Sequence, residues 1–320
     1  MARNSVYTRR TANFLLLARV KAKTRAAYSK AVKAFCAFLE LRGVRLSLFD
    51  ASATTLDRHL LRFVEYVFDE NDGKKRQLAT NAMYGVILIR PDLKAKDKLP
   101  SARAVLQGWQ TAFPSKKYPP LPKYVLYAMA YYVYDVLSLP KVAVALLLAW
   151  DGFFRIGEVA SLKVGDVALP GDLRFPVGRR TAVVAIKEAK TGRNQTVRLR
   201  SPIISGFLAK LIAGRDKKKS LFGVSTSRLR SIFHKARQGC GLHRVPHFAF
   251  HSIRHGAATA ALLEDVPLQE VLRRGRWKAA TSARHYIQEG EAMLVSLQID
   301  TELLYNGSLI FRNIKNFFKI

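Results

Sequence analysis

Two arginines (Arg155 and Arg254), two histidines (His251 and His255), Trp277 and Tyr286 carry the side chains needed to break a phosphodiester bond without a metal. That reaction makes four demands. Cations must neutralise the non-bridging phosphate oxygens as charge builds in the transition state. A nucleophile must attack in line, a base must take its proton, and an acid must protonate the leaving 5′-oxygen. Arginine suits the first task, because its planar fork gives parallel hydrogen bonds to phosphate and keeps its charge. Arg155 follows an apolar stretch, in Phe153-Phe154-Arg155-Ile156-Gly157-Glu158, so it is expected to be partly buried and to need an anion. Glu158 is within reach of it on a helix. Taken alone, the motif reads more plainly as a structural Arg155–Glu158 pair.

His251 and Arg254 share a face at a helix start, in His251-Ser-Ile-Arg254-His255. His247, His251 and His255 recur at a helical spacing, which raises a metal site as an alternative. A zinc-protease motif needs a glutamate after its first histidine, where Ser252 stands, and Arg254 would repel a cation. Pro246 and the β-rich run 248–250 set His247 off that helix. Tyr286 is one of 12 tyrosines, and a lone tyrosine near a C-terminal helix ordinarily serves packing. Trp277, after Gly275-Arg276, offers an indole N–H to a phosphate oxygen. With a free pKa near ~10, a tyrosine needs cationic neighbours to ionise. Lys190, in the turn Lys190-Thr-Gly192 of an expected hairpin, is the candidate acid. Lys187 is the less favoured alternative, and a solvated charge is the plain reading of either.

The 320 residues leave room for two domains, and a hydrophobic content of 49% can fill their cores. Apolar residues at helical spacing predict helices over 24–41, 53–68 and 78–89, with a short one at 105–112. Residues 18–112 therefore read as an all-helical domain. Phe113 to Lys123 holds four prolines and three lysines and reads as a linker. Lys116 and Lys117 within it suit a strap across a DNA backbone, or are simply solvated. Residues 124–296 form the larger unit. Helices are expected over 124–137 and 142–154, then a hairpin from 182–186 and 195–199. Further helices are expected over 203–212, 227–237, 252–263, 268–273 and 279–288. The fold class is mainly α with a small antiparallel β-sheet, an α+β unit following an all-helical one. The tail, 297–320, carries an apolar stripe of Phe311, Ile314, Phe317 and Phe318 that is expected to dock on something.

The 54 Lys and Arg against 23 Asp and Glu give a net charge of +31. A chain so basic calls for a polyanion, of which nucleic acid is the commonest. Residues 1–17 hold no acid and read as an arm along phosphates or, less favoured, a transit peptide. The only cysteines, Cys36 and Cys240, exclude a disulfide-stapled scaffold, and a reducing compartment fits. The apolar run 142–150 is too short to span a bilayer, and no membrane partner is expected. The basic runs 74–76 and 217–219 are nuclear signals or, preferably, solvated or DNA-facing charge.

Together these motifs resemble the tyrosine recombinase (phage integrase) family, whose members cut DNA by making it an ester of a tyrosine. The resemblance is carried by Arg155, Gly157 and Glu158 after a helix, by Lys190 in a β-hairpin, and by His251, Arg254 and His255. Gly275, Trp277 and Tyr286 complete it. Thr24 to Leu39 is similar to the first helix of the family's core-binding domain. The resemblance implies a core-binding domain and a catalytic domain closing on the duplex as a C-shaped clamp. It implies that Arg155 and Arg254 clamp the scissile phosphate, His251 assists deprotonation of Tyr286, Trp277 holds a phosphate oxygen and Lys190 protonates the leaving 5′-hydroxyl. Glu158 and His255 would support them. The product would be a 3′-phosphotyrosyl link, resealed through a Holliday junction, with no metal or other cofactor. Lys116, Lys117, Arg193, Arg273, Arg274 and Arg276 are further candidate DNA contacts. The implied partner is double-stranded DNA with specific recombination sites, bound by a homotetramer of a chain that is monomeric when free. Each protomer would lend a C-terminal segment to its neighbour, for which 297–320 is a candidate. The implied location is intracellular, on DNA. Trp277 departs from the family's more frequent histidine, although a minority of members have tryptophan there. Rival readings are a type IB topoisomerase or telomere resolvase, a DNA-binding protein that keeps the fold without cutting, and a zinc hydrolase.

Overall fold

A computed structural model describes residues 19–114, 118–172, 181–189, 192–243, 247–284 and 286–320, with the backbone alone at 188, 189, 192, 193 and 282. The expected arm at 1–17 lies outside these residues. Two compact units divide at Lys116/Lys117. Among the described residues no helix is long and apolar enough to cross a membrane.

The first unit is helical, with α1 (Ala22–Leu41), α2 (Ala53–Asp69), α3 (Arg76–Ile89) and α4 (Pro100–Ala112). The period expected from the sequence sets what faces inward: Phe35, Phe38 and Leu39 of α1 are buried, and the Phe35 and Phe38 rings meet Phe63 of α2 at 5.3 and 5.5 Å. α1 stops where Gly43 takes a left-handed turn, φ +66°, so that Val44 N–H can bond back to the Leu39 carbonyl at 2.9 Å. α4 begins five residues before its expected start at 105. Pro100 fits a first turn, and the buried Asp57 carboxylate of α2 accepts from Ser101 N at 3.0 Å and Ala102 N at 2.9 Å. The cap comes from another helix, so local pattern could not reveal it.

In the second unit α5 (Lys123–Asp135) packs on α6 (Pro140–Asp151), which is buried almost all round from Val142 to Ala149. The short α7 (Ile156–Ser161) follows. The sheet is antiparallel in the order β1 (Val167–Ala168), β2 (Val183–Ala189), β3 (Gly192–Arg198). Val184, Ile186 and Val197 face the core. The strands run closer to the turn than expected, pairing as far as Ala189 with Gly192. Then come α8 (Pro202–Ile212), α9 (Thr226–Gly239), α10 (Phe250–Leu263), α11 (Leu268–Gly275) and α12 (Ala280–Ala283). Residues 248–249, read as β-rich, form no strand, and Phe250 opens α10 instead.

Two expected helices end early. The one foreseen over 142–154 stops at Asp151, because Phe153 turns left-handed at φ +52° and reverses the chain. The one foreseen over 279–288 stops at Ala283, and α13 (Glu289–Ser296), not foreseen, follows. Here the Thr259 hydroxyl of α10 donates to the Tyr286 carbonyl at 3.0 Å and accepts from Gln288 N at 3.2 Å. Those groups are thereby taken from a continuing helix.

The tail forms α14 (Thr301–Arg312) and α15 (Ile314–Phe317) and lies on its own unit. Gly307 lets α14 approach the Tyr124 carbonyl. The Phe311 ring meets Tyr127 at 4.9 Å and Phe318 meets Tyr134 at 5.1 Å. The stripe read as a candidate exchange segment is thus covered in cis by α5, whose aromatic face fits it.

α10 also makes a close contact through Gly256, where a β-carbon would meet the Leu121 carbonyl and the Trp150 ring. Leu121 N donates to Ser252 O at 3.0 Å, so the backbones are already locked together. Gly256→Ala is expected to destabilise the unit by about 1–3 kcal/mol. Denaturant unfolding measures this, and an unchanged midpoint would mean that the contact is not held in solution. Cys36 and Cys240 are both free thiols, and burial pushes the Cys240 thiol up to about 12.

Candidate active site

Arg155 caps α7, and Glu158 in its first turn reaches back to it. One carboxylate oxygen accepts from Arg155 N at 2.8 Å and the other from the Arg155 guanidinium at 2.8 Å. The Glu158 side chain is 4% exposed and that of Arg155 17%, so the pair is structural and still leaves an arginine edge at a cleft. This cleft, about 490 Å³, is walled by Arg155, Gly157, Ser161, Phe250 and His251 among others.

α10 supplies the rest of the cluster. Successive turns place His251 and His255 together, with ring centroids 4.9 Å apart. The Tyr286 ring lies 5.3 Å from His251, 4.7 Å from His255 and 4.8 Å from Trp277. The Arg254 guanidinium sits against Trp277 at 4.8 Å and Tyr286 at 5.3 Å. Arg254 is fully buried and donates to the carbonyls of Phe153 at 2.6 Å and Gly275 at 2.5 Å. Burial, then the like charges of Arg155 and Arg276, hold its pKa down to about 9. A cation under that penalty gains from any anion brought beside it. Gly275 has to be glycine, since a β-carbon there would overlap the Trp277 ring. The Trp277 indole N–H is buried with no hydrogen-bond partner among the described residues.

The reversal after α6 explains why arginines collect here. The C-terminal end of α6 leaves the carbonyls at 151–153 without an intrahelical partner, and the negative end of a helix favours cations. Arg274 donates to Asp151 O at 2.5 Å and lies over the Phe153 ring at 4.3 Å. Arg276 donates to Phe153 O at 3.2 Å and to Glu158 at 2.7 Å. Both side chains are buried and turned onto backbone carbonyls of the chain itself. Arg273 does point outward, 70% exposed, with Glu270 beside it at 2.8 Å.

Of the other candidates, Lys190, Lys116 and Lys117 lie outside the described residues. Arg193 sits on β3 opposite Glu188. Lys187 is exposed and paired with the buried Asp166 at 2.7 Å. His247 precedes α10, its ring 3.0 Å from Arg237, and no group of metal-binding side chains occurs among the described residues. Sequence reading missed Phe153, whose left-handed backbone aims the carbonyl at Arg254 and carries no local signal. It also missed Thr259, a hydroxyl in the alanine run 257–261 and so a visible exception.

A family model described as "Phage integrase family" matches residues 128–292, which include Arg155, Arg254 and Tyr286. The chain belongs to the phage integrase family. The chain also shares its fold with solved structures at low identity. A lambda integrase dimer bound to a COC′ core site is 19% identical with a TM-score of 0.55, covering 86% of this chain and 92% of that one. The Tn1549 transposon integrase in complex with transposon right end DNA is 13% identical with a TM-score of 0.56, covering 89% and 97%. XerH site-specific recombinase bound to difH substrate is 14% identical with a TM-score of 0.50, covering 89% and 79%. No curated protein matches the sequence.

Proposed function

We propose that this integrase is a site-specific tyrosine recombinase that cleaves and rejoins double-stranded DNA through a 3′-phosphotyrosyl intermediate and a Holliday junction. One observation carries the reading. Tyr286, His251, His255, Arg254 and Trp277, from three separate segments, converge within ring-contact distance of one another. A packing tyrosine does not need that company.

The Tyr286 phenolic oxygen attacks the scissile phosphorus and its proton passes to His251. The bond to the 5′-oxygen breaks, and Lys190 protonates that leaving oxygen. Arg155 and Arg254 hold the non-bridging oxygens, with the Trp277 N–H as a further donor. Resealing runs the same steps backwards, with a 5′-hydroxyl of another strand displacing the tyrosine. The phosphotyrosyl ester keeps the bond energy, so neither metal nor nucleotide is required. The Arg254 guanidinium is buried against the Trp277 and Tyr286 rings, so the proposed nucleophile and a proposed phosphate ligand are neighbours. The partner is duplex DNA carrying recombination sites, on which four protomers assemble.

The test incubates a library of nicked duplexes with the full chain in EDTA, denatures it and digests the product. The expected result is a DNA-linked peptide containing Tyr286, with a yield unaffected by the chelator. Tight binding without any adduct would favour a DNA-binding protein of the same fold. An adduct lost in EDTA would sink the metal-free mechanism.

A further inference from the structure

We propose that Arg276 is a positioning residue that holds both phosphate-binding arginines, Arg155 by way of Glu158 and Arg254 by way of the Phe153 carbonyl. The inference rests on the reading that Arg155 and Arg254 clamp the scissile phosphate. One terminal nitrogen of Arg276 donates to Glu158 at 2.7 Å and to Phe153 O at 3.2 Å. The same carboxylate takes the Arg155 guanidinium at 2.8 Å, and the same carbonyl takes Arg254 at 2.6 Å. A single side chain therefore touches the two acceptors that aim the two arginines.

The location makes an incidental contact a poor explanation. Arg276 ends α11 left-handed at φ +56°, a conformation that glycine takes freely and other residues only at a cost. Its side chain is 5% exposed, and burial, offset by Glu158, presses its pKa down. A strained, buried cation between two others persists only when its surroundings demand it. The electrostatics give the reason. Glu158 facing Arg155 alone would cancel the charge meant for the phosphate. Shared with Arg276, the trio keeps a net positive charge, and the Arg155 edge stays available to an anion. Arg276 itself is buried away from solvent and acts through its neighbours.

The test compares Arg276→Gly and Arg276→Lys in the full chain. Glycine relieves the left-handed backbone, so a loss of function in that variant cannot be charged to backbone strain. Arg276→Gly is expected to bind the nicked-duplex library with nearly unchanged affinity while single-turnover adduct formation falls roughly 10- to 100-fold. Arg276→Lys, which keeps the cation and a donor, is expected to recover part of that rate. The Arg155 side-chain N–H resonance, assigned by nitrogen-15 NMR without DNA, is expected to broaden in Arg276→Gly. A wild-type rate in Arg276→Gly would overturn the proposal. So would equal losses in both variants that track a fall in unfolding midpoint, the mark of a purely structural role. If wild type forms no adduct on any DNA, the recombinase reading fails. The brace is then judged by the NMR signal alone, and an unchanged Arg155 resonance refutes it.

Discussion

Tyr286→Phe is expected to bind duplex DNA as tightly as wild type and to form no covalent adduct, a drop of at least about 10⁴-fold in cleavage. The substitution removes one oxygen and keeps the ring. That ring is what packs on His251, His255 and Trp277, at 5.3, 4.7 and 4.8 Å. The backbone at this point is held by the Thr259 hydroxyl and by Tyr286 N bonding to Ala283 O at 2.7 Å, neither of which depends on the phenol. The fold and the basic surface therefore survive while the proposed nucleophile is gone. A denaturing gel after incubation with nicked duplexes, beside a binding titration, reads both properties. An adduct that persists in the Phe variant would place the nucleophile on another side chain. A variant that neither binds nor folds would mean that the hydroxyl has a structural task.

Glu158→Ala is expected to cost about 3–5 kcal/mol of stability, because it leaves two guanidinium groups without their carboxylate in a buried setting. Glu158 accepts from Arg155 N, from the Arg155 guanidinium and from Arg276, at 2.8, 2.8 and 2.7 Å. It thereby caps α7 and separates like charges. In a unit of this size such a loss lowers the melting midpoint by roughly 10 °C. Glu158→Gln keeps a carbonyl acceptor for the backbone N–H and should lose less. Calorimetry on the two variants measures the difference. An alanine variant that melts with the wild type would show that water reaches these arginines and that the pair is a surface one.

The helices were legible because their signal is local. A stripe of apolar residues at helical period names the buried face of α1 or α2 wherever the rest of the chain goes. Prolines and glycines punctuate that pattern, as Gly43 does after α1. The hairpin was legible for the same reason, its strands alternating around Lys190-Thr-Gly192. The family was legible from the order and spacing of a set of residue types, and residues 128–292 bear the family's model.

What the sequence determined by itself, then, is the kind of fold, the family and the residue types available for chemistry, because each of these is written in neighbouring residues. What the tertiary structure decided is which way individual side chains face. Arg274 and Arg276 look like the Arg273 beside them, yet they turn inward to carbonyls more than 120 residues earlier in the chain, at 151 and 153. Tyr286 leaves its expected helix because a hydroxyl 27 residues away takes its carbonyl. The tail finds its cover on α5, 185 residues before it, where Tyr134 accepts from Lys319 N. In each case the deciding partner is a backbone group or side chain brought close only by folding, and its hydrogen-bonding demand outweighs what the local pattern prefers.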